Sequence, residues 1–394
     1  MYSGTTKVQS MKLLMVAPWF PSMEAPYAGS FIADQAQALA DVHDVTVVAP
    51  EIVASQSRIE RREEEGWPFR LVRLKVPASH YGHSLQYSFA IAREARASKC
   101  DLIHAHVALP GGFGSAVAGL LTRKPVIITE HRAPFYECMQ TCRDRIKVRF
   151  SFLLAHRAIA VSSALRKQIK NEGIRRPIDI VPNTFNKSLF SVRPRRKGRV
   201  NGQFNLLFVG RLNDEQKNLP SLLRAMRHLS KSEEGEYRLT IIGDGKFRKQ
   251  YESMAEQFEI ETCCRFAGSP SREAIAREMD DCDLLVLPSL FETFGVVVIE
   301  AMAVGRPVLA TACGGPEEII IPGTGKVVPP NDDASLVKGI LDICSVIDSF
   351  DPIAISSYAE ERFGNTAVTH LMTEIYESVA TRKRRFKLCL KENP

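Results

Sequence analysis

The chain has 394 residues, 45% of them hydrophobic and 25% charged, enough to bury two cores of ordinary domain size. Its first apolar run, residues 13–16, stops at Pro18 and Pro21, too short for a membrane span or a signal-peptide core. The net charge of +7 hides an asymmetry: residues 1–204 carry 30 Lys and Arg against 16 Asp and Glu (+14), and residues 205–394 carry 22 against 29 (−7), so the first half suits an anionic partner.

Apolar runs rich in Val, Ile and Leu at 13–17, 45–49, 102–106, 126–129, 158–161 and 178–181 predict strands, and helical patterns at 32–40, 84–97 and 164–171 lie between them. Strands buried on both faces and alternating with helices predict a parallel, doubly wound sheet. Residues 191–202, SVRPRRKGRVNG, read as a polar surface linker. No aromatic residue interleaves those charges, which argues against a nucleic-acid-binding arm. The pattern then restarts, with strands predicted at 205–209, 238–242, 265–267, 284–288, 308–310 and 326–328. The expected fold class is α/β: two Rossmann-like parallel-sheet domains facing each other across a cleft. Their bounds are 1–190 and 205–360, joined by a linker at 191–204 and followed by a C-terminal segment at 361–394. Ligands of such sheets bind outside the carboxyl ends of the strands, so the loops there carry the chemistry.

Nine cysteines show no metal-ligand spacing. Cys138 and Cys142 can share a helix face and Cys263 and Cys264 are adjacent, but neither pair has the second half of a zinc site. This usage reads as a reduced, cytosolic protein.

The strongest local signal follows the strand at 284–288: Glu292 and Glu300 stand eight residues apart, with Phe294 and Gly295 at a predicted helix start. If both carboxylates are helical they lie about two turns apart on nearly one side. Free N–H groups at the helix start would receive phosphate or sugar oxygens, and Gly295 would let a ligand approach the backbone. An acidic helix N-terminus is the plainer reading of the same residues. After the first strand of the second series, Gly210 and Arg211 open a loop that runs to Lys217. A guanidinium and an ammonium there would compensate a diphosphate leaving group, or simply be two solvated charges.

Taken together these pieces resemble glycosyltransferase family 4, retaining enzymes with the GT-B fold. The second half matches in VGRL…KN at 209–218, IIGDG at 241–245, LPSLFETFGVVVIEAMAVGRPVLAT at 287–311 and GGPEEII at 314–320. The first half matches in MKLLMVAPWFPS at 11–22, AGSFIADQAQAL at 28–39, HAHVALPGG at 104–112, ITEH at 128–131 and IVPNTFN at 180–186. The resemblance covers almost the whole chain, and the E-x7-E element with the GR…K loop is its most specific part.

The resemblance implies a first domain that binds the acceptor and a second that binds a nucleotide diphosphate sugar. Glu300 would hold the ribose hydroxyls, and Glu292 the transferred sugar, helped by the backbone of Phe294 and Gly295. Arg211 and Lys217 would grip the diphosphate, and Gly29 would approach it from the first domain. His131 would stand beside the sugar. Gly210, Gly243 and Ser269, in loops after strands of the second domain, complete the donor-binding set, with the base read near 268–270. The first-domain loop of the family usually has two adjacent glycines, and here Ala28 precedes Gly29. Retention commonly involves a carboxylate nucleophile, but the family implies front-face substitution in which the leaving phosphate helps take the acceptor proton. No metal and no cofactor are expected.

Other motifs are weaker. Asp280, Asp281 and Asp283 precede a buried strand and read as a helix-to-strand turn, not a metal site. Gly243 and Gly245 lack the third glycine of a dinucleotide fingerprint. His104 and His106 alternate on one strand and suit packing or an acceptor cleft. The segments 51–65 and 133–149 read as acceptor-binding loops, and the helix near 367–380 would pack back on the first domain. The basic run 382–387 and the +14 half suggest a peripheral contact with an anionic membrane surface. The overall expectation is a hexosyltransferase using a UDP-linked donor. Its acceptor would be a glycan or polyprenyl-diphosphate-linked one, at 143–149 and 175–176, in surface polysaccharide synthesis, cytoplasmic or at the inner membrane face. A nucleotide-sugar epimerase of the same fold and a non-catalytic sugar-nucleotide binder are the alternatives.

Overall fold

The computed structural model describes residues 9–53, 58–77, 83–132, 134–192, 202–213, 215–232 and 235–389, with side chains through Thr381 except at 52, 83 and 84. Most of the expected linker and the side chains of the basic run 382–387 lie outside the described residues. The chain forms two compact units, 1–183 with 365–394, and 184–364.

In the first unit the strands are β1 (Lys12–Val16), β2 (Asp44–Val53), β3 (Glu60–Glu64), β4 (Arg70–Pro77), β5 (Leu102–His106), β6 (Val126–Glu130), β7 (Arg157–Ala160) and β8 (Ile178–Ile180). Its helices are α1 (Ser30–Ala40), α2 (His83–Ala97), α3 (Phe113–Thr122), α4 (Cys142–Leu154) and α5 (Ser163–Asn171). The sheet order is β3-β4-β2-β1-β5-β6-β7-β8, parallel except for β3. Every side chain of β5 and β6 is buried, as a central parallel strand requires.

Two strands escaped the apolar-run reading. In β4, Arg73 and Lys75 interrupt the run, and β3 is wholly charged. Arg73 is buried because Glu64 accepts from its Nε at 2.9 Å and the Pro21 carbonyl accepts from its Nη2. On the antiparallel edge, Arg61 and Arg70 each reach Glu63 at 2.5 Å and hold its carboxyl down to about 2. Such charges keep an exposed edge from pairing with another chain. The segment 133–149, expected as a loop, contains the first half of α4, whose N-cap Thr141 accepts from the Asp144 N–H.

The second unit is built from β9 (Gln203–Val209), β10 (Glu236–Ile242), β11 (Cys264–Gly268), β12 (Leu284–Leu287), β13 (Val308–Thr311) and β14 (Gly325–Val328). Helices α6 (Leu219–Leu229), α7 (Arg248–Gln257), α8 (Arg272–Asp281), α9 (Val296–Ala303), α10 (Pro316–Ile319), α11 (Asp333–Ser345) and α12 (Pro352–Phe363) connect and flank them. The all-parallel order β11-β10-β9-β12-β13-β14 is the doubly wound 3-2-1-4-5-6 arrangement. The last helix, α13 (Asn365–Cys389), belongs to the first unit, where Val368, Met372, Tyr376 and Val379 enter the core shared by α1, β1 and β2.

Each sheet reverses its strand order beside its own first strand, between β1 and β5 in one unit and between β9 and β12 in the other. The crevice at the carboxyl ends of these strand pairs is where such folds receive ligands.

Candidate active site

In the second unit the switch point brings the loop after β9 against the loop after β12. Gln216 joins them: its carbonyl accepts from the Leu290 N–H at 2.8 Å and its Nε2 donates to the Phe291 carbonyl at 2.6 Å. The short 3-10 turn Glu215–Lys217 thereby delivers Lys217 to Glu292, Nζ to Oε1 2.5 Å. Ser289 Oγ donates to the same oxygen at 2.8 Å, and Thr311 Oγ1 in turn donates to the Ser289 carbonyl. Both charged side chains are mostly buried, 17% exposed for Lys217 and 8% for Glu292. Ion pairing of this kind offsets the cost of removing two charges from water.

Glu292 is not helical. It lies in an extended stretch bridged to Gly314, its N–H donating to the Cys313 carbonyl and its carbonyl accepting from the Gly315 N–H. The reading of Glu292 and Glu300 as two positions on one helix side, and of Glu292 as an acidic first turn, is corrected accordingly: α9 begins at Val296 after Gly295, whose φ of 93° ends the extended run. Glu300 sits in the second turn of α9, buried, with Oε1 3.3 Å from Arg272 Nη2. That guanidinium also stands over the Phe190 ring, 5.7 Å from its centroid. The two carboxylates therefore have different cationic neighbours and can carry different duties.

The remaining second-unit candidates frame this centre. Gly210 lies where a Cβ would meet the Lys217 stem at 3.2 Å, and Gly243, at φ 147°, brings its α-carbon so close to the Gly210 carbonyl that a Cβ would clash at 1.8 Å. Glycine at 243 is thus explained by the contact of the loops after β9 and β10. Arg211 is exposed one residue beyond Gly210, on the loop that leads to Lys217. Phe294 packs its ring edge-on against Phe363 at 5.8 Å, so only its backbone is available to a ligand. Ser269 is exposed just past Gly268, beside the Arg248–Asp244 pair.

In the first unit the loops after β1, β5 and β6 converge. Gly29 is the left-handed N-cap of α1, and a Cβ there would fall 2.2 Å from the Trp19 carbonyl. The contact with Trp19 is sufficient reason for that glycine. Phe31, two residues on, packs on His131 with ring centroids 4.8 Å apart. His131 is held by its predecessor: the buried Glu130 carboxylate accepts from the N–H groups of Ala108 (2.7 Å), His131 (2.8 Å) and Arg132 (2.8 Å). One acid thus clamps the β5 loop to the β6 loop. Burial raises its pKa against the pull of those donors.

His104 and His106 have internal partners. Tyr376 Oη and Thr129 Oγ1 each lie 2.8 Å from a ring nitrogen of His104, and His106 Nδ1 lies 3.0 Å from His131 Nε2. Burial lowers His104 and His131 to about 3 and takes His106 well below the ordinary imidazole range, so all three rings are neutral at pH 7. In the acidic turn at 280–283, Asp280 accepts from Arg306 and Asp283 from the Asn205 N–H at 2.9 Å, which ties the α8–β12 turn to the sheet. Among the described residues no group of three or more His, Cys, Asp or Glu side chains is arranged to hold a metal ion.

Five residues with clear places in this geometry had no sequence assignment as site residues: Gln216, Ser289, Arg272, Glu130 and His106. Only His106 and Glu130 carried a legible signal, the alternation with His104 and the adjacency to His131. The other three are ordinary polar residues until folding sets them beside Lys217, Glu292 and Glu300.

Residues 28–189 match the family model described as Glycosyltransferase Family 4, and residues 193–346 that described as Glycosyl transferases group 1. Among curated relatives, an uncharacterized glycosyltransferase of Methanocaldococcus jannaschii is 29% identical over 248 residues, 62% of this chain and 65% of that protein. The amylovoran biosynthesis glycosyltransferase AmsK of Erwinia amylovora is 27% identical over 269 residues, 64% of this chain and 61% of that one. The match thus spans somewhat under two thirds of these two relatives' length. Among solved structures, sucrose-phosphate synthase from Thermosynechococcus elongatus superposes with a TM-score of 0.75 at 20% identity, covering 94% of this chain and 100% of that one. Anabaena HepE in complex with UDP gives 0.72 at 20% identity over 93% and 100%. The fold is GT-B.

Proposed function

We propose, for a chain that is a family 4-like glycosyltransferase of GT-B fold, that it moves a hexosyl group from a nucleotide diphosphate donor, UDP-linked, to a glycan or polyprenyl-diphosphate-linked acceptor with retention of configuration. The observation that carries this reading is the Lys217–Glu292–Ser289 cluster at the β9/β12 switch point, with Glu300 on the helix that follows. An ammonium and a carboxylate held together in a buried crevice suit a ligand that presents a diphosphate to one and sugar hydroxyls to the other.

In this reading the donor's phosphates draw Lys217 away from Glu292, and Arg211 joins Lys217 in neutralising the leaving diphosphate. The freed Glu292 carboxylate accepts from hydroxyls of the transferred sugar, with the backbone of Phe294 and Gly295 beside it. Glu300 accepts from the ribose hydroxyls, and the loops that carry Gly210, Gly243 and Ser269 receive the nucleotide. His131 supplies a neutral hydrogen bond to the sugar, and Gly29 belongs to the phosphate-facing loop. Substitution proceeds on the front face, the departing phosphate oxygen helping to take the acceptor proton, with no metal ion. Synthesis of a surface polysaccharide is the setting suggested by the relative AmsK.

No helix among the described residues is long and apolar enough to cross a membrane. The solvent face of α4 carries Ile146 (68% exposed) and Leu153 (69%) among the exposed Arg143, Arg145 and Arg149. This mixture suits peripheral binding to an anionic lipid surface at the inner face of the cytoplasmic membrane. Co-sedimentation with phosphatidylglycerol vesicles and none with phosphatidylcholine is expected; equal partition refutes it.

A thermal-shift screen against UDP-, GDP- and ADP-glucose, with NAD and ATP as controls, tests the donor reading. Ligands that bind only the folded state raise the melting temperature by mass action. A shift confined to one sugar-nucleotide series supports the donor class, and a response only to NAD or ATP refutes it.

A further inference from the structure

The first unit contains a buried pair of imidazoles whose protons are not independent. His106 Nδ1 and His131 Nε2 are 3.0 Å apart, with 21° between the ring planes. The other nitrogens, His106 Nε2 and His131 Nδ1, are buried; nothing pairs with His106 Nε2, whereas the buried side chain of Asn183 stands beside the His131 ring. His104 is excluded from this exchange because Tyr376 and Thr129 occupy both its nitrogens.

A neutral imidazole has one N–H and one lone pair, so the contact has two solutions. If His131 donates from Nε2, the proton of His106 must sit on its own Nε2. That leaves a permanently unpaired donor on a side chain with 0% exposure. If His106 donates from Nδ1, the unpaired atom on His106 is only a lone pair, and the second N–H moves to His131 Nδ1, on the ring that Asn183 adjoins. Orphaned buried N–H groups are rarer and costlier than under-used acceptors. His131, unlike His106, stands at the carboxyl edge of the sheet, after the last residue of β6 and against Phe31. Asn183 offers a side-chain oxygen to that donor in the resting site, and a ligand oxygen that reaches this edge takes its place.

We propose that His106 is a positioning residue that fixes His131 as the Nδ1–H tautomer, so that His131 offers a neutral hydrogen-bond donor to an oxygen of the bound sugar. The Glu130 clamp on the His131 N–H sets the backbone, and His106 sets the ring proton. The inference rests on the reading of His131 as a sugar-facing group, and its test separates the two.

The full chain, labelled with 15N-histidine, is examined by long-range 1H–15N correlation at pH 7.5, His131 being assigned by its loss in His131→Asn. The expected spectrum shows His131 protonated at Nδ1 and bare at Nε2. His106→Asn, whose amide N–H falls near the position of Nδ1, keeps that tautomer. His106→Phe, which offers no donor, shifts His131 toward the Nε2–H form. Protonation of His131 at Nε2 in the native chain overturns the proposal, as does an unchanged His131 spectrum in His106→Phe. Should His106→Phe fail to fold, the native spectrum and His106→Asn still decide. His131→Ala, assayed with whichever of UDP-, GDP- or ADP-glucose stabilises the chain, tests the underlying reading. Full activity there sinks the sugar-facing role while leaving the tautomer result intact.

Discussion

Replacing Glu292 by Gln separates the two duties assigned to the Lys217–Glu292 pair. In the ligand-free chain the substitution leaves the Lys217 ammonium, 17% exposed, without the carboxylate 2.5 Å away. Breaking a fully buried pair costs ~3–5 kcal/mol. Here the glutamine carbonyl can still accept from Lys217 and some water reaches it, which brings the expected cost to about 2 kcal/mol. For a unit of this size that lowers Tm by roughly 4–8 °C. Nucleotide binding should move the other way. The diphosphate no longer competes with Glu292 for Lys217, so UDP affinity is equal to or tighter than that of the parent chain. Saturating UDP, at about 100 times Kd, adds ~2.7 kcal/mol and so offsets the loss, returning Tm to at least that of the ligand-free parent chain. Transfer, however, loses a group aimed at the reacting sugar and should fall by ~10²–10³ in kcat. Calorimetric titration with UDP, melting curves with and without it, and release of UDP from the donor read these three quantities on one variant. A loss of UDP affinity in step with activity would refute the division of labour, and so would undiminished transfer.

Burial holds His104 and His131 at about 3, whereas unfolded imidazoles titrate near 6.5. Between those values the unfolded chain binds more protons, so stability is lost as pH falls below about 6.5, at about 1.4 kcal/mol per pH unit for each ring. Urea midpoints measured from pH 7.5 to 5 should fall steeply, and a flat profile would contradict neutral buried rings. Gly29→Ala places a Cβ 2.2 Å from the Trp19 carbonyl at a φ of 65°. It should destabilise the first unit by ~2 kcal/mol or more, read by urea unfolding, and an unchanged midpoint rejects the packing account. Arg272→Ala removes the cation beside Glu300. If Glu300 holds the ribose, Glu300→Ala should weaken UDP binding by ~10-fold or more and Arg272→Ala by less, and the reverse order would move the ribose contact to Arg272. EDTA should leave transfer nearly intact; complete inhibition reversed by manganese would overturn the metal-free reading.

The apolar runs at 102–106 and 126–129 lie in β5 and β6 because strands buried on both faces announce themselves by continuous Val, Ile and Leu. The repeated alternation of strand and helix was equally plain, and with it the expectation that chemistry sits in loops after strands. Sequence also supplied Glu292, Glu300 and Lys217 as candidates, through the eight-residue spacing of two glutamates after a strand and the GR…K loop, the most specific parts of the family resemblance. It could not reveal β3 and β4, whose Arg73 and Glu64 satisfy each other only after the strands pair. Nor could it place Glu292 outside a helix, because the bridge to Gly314 is made by residues more than twenty positions away. The partnership of Lys217 with Glu292 spans 75 positions, and that of His106 with His131 spans 25. Composition and periodicity report what each segment buries, and they decided the fold. Which lysine faces which carboxylate, and which imidazole orients another, follows from strand order and loop contacts that exist only once the sheets have closed their cores.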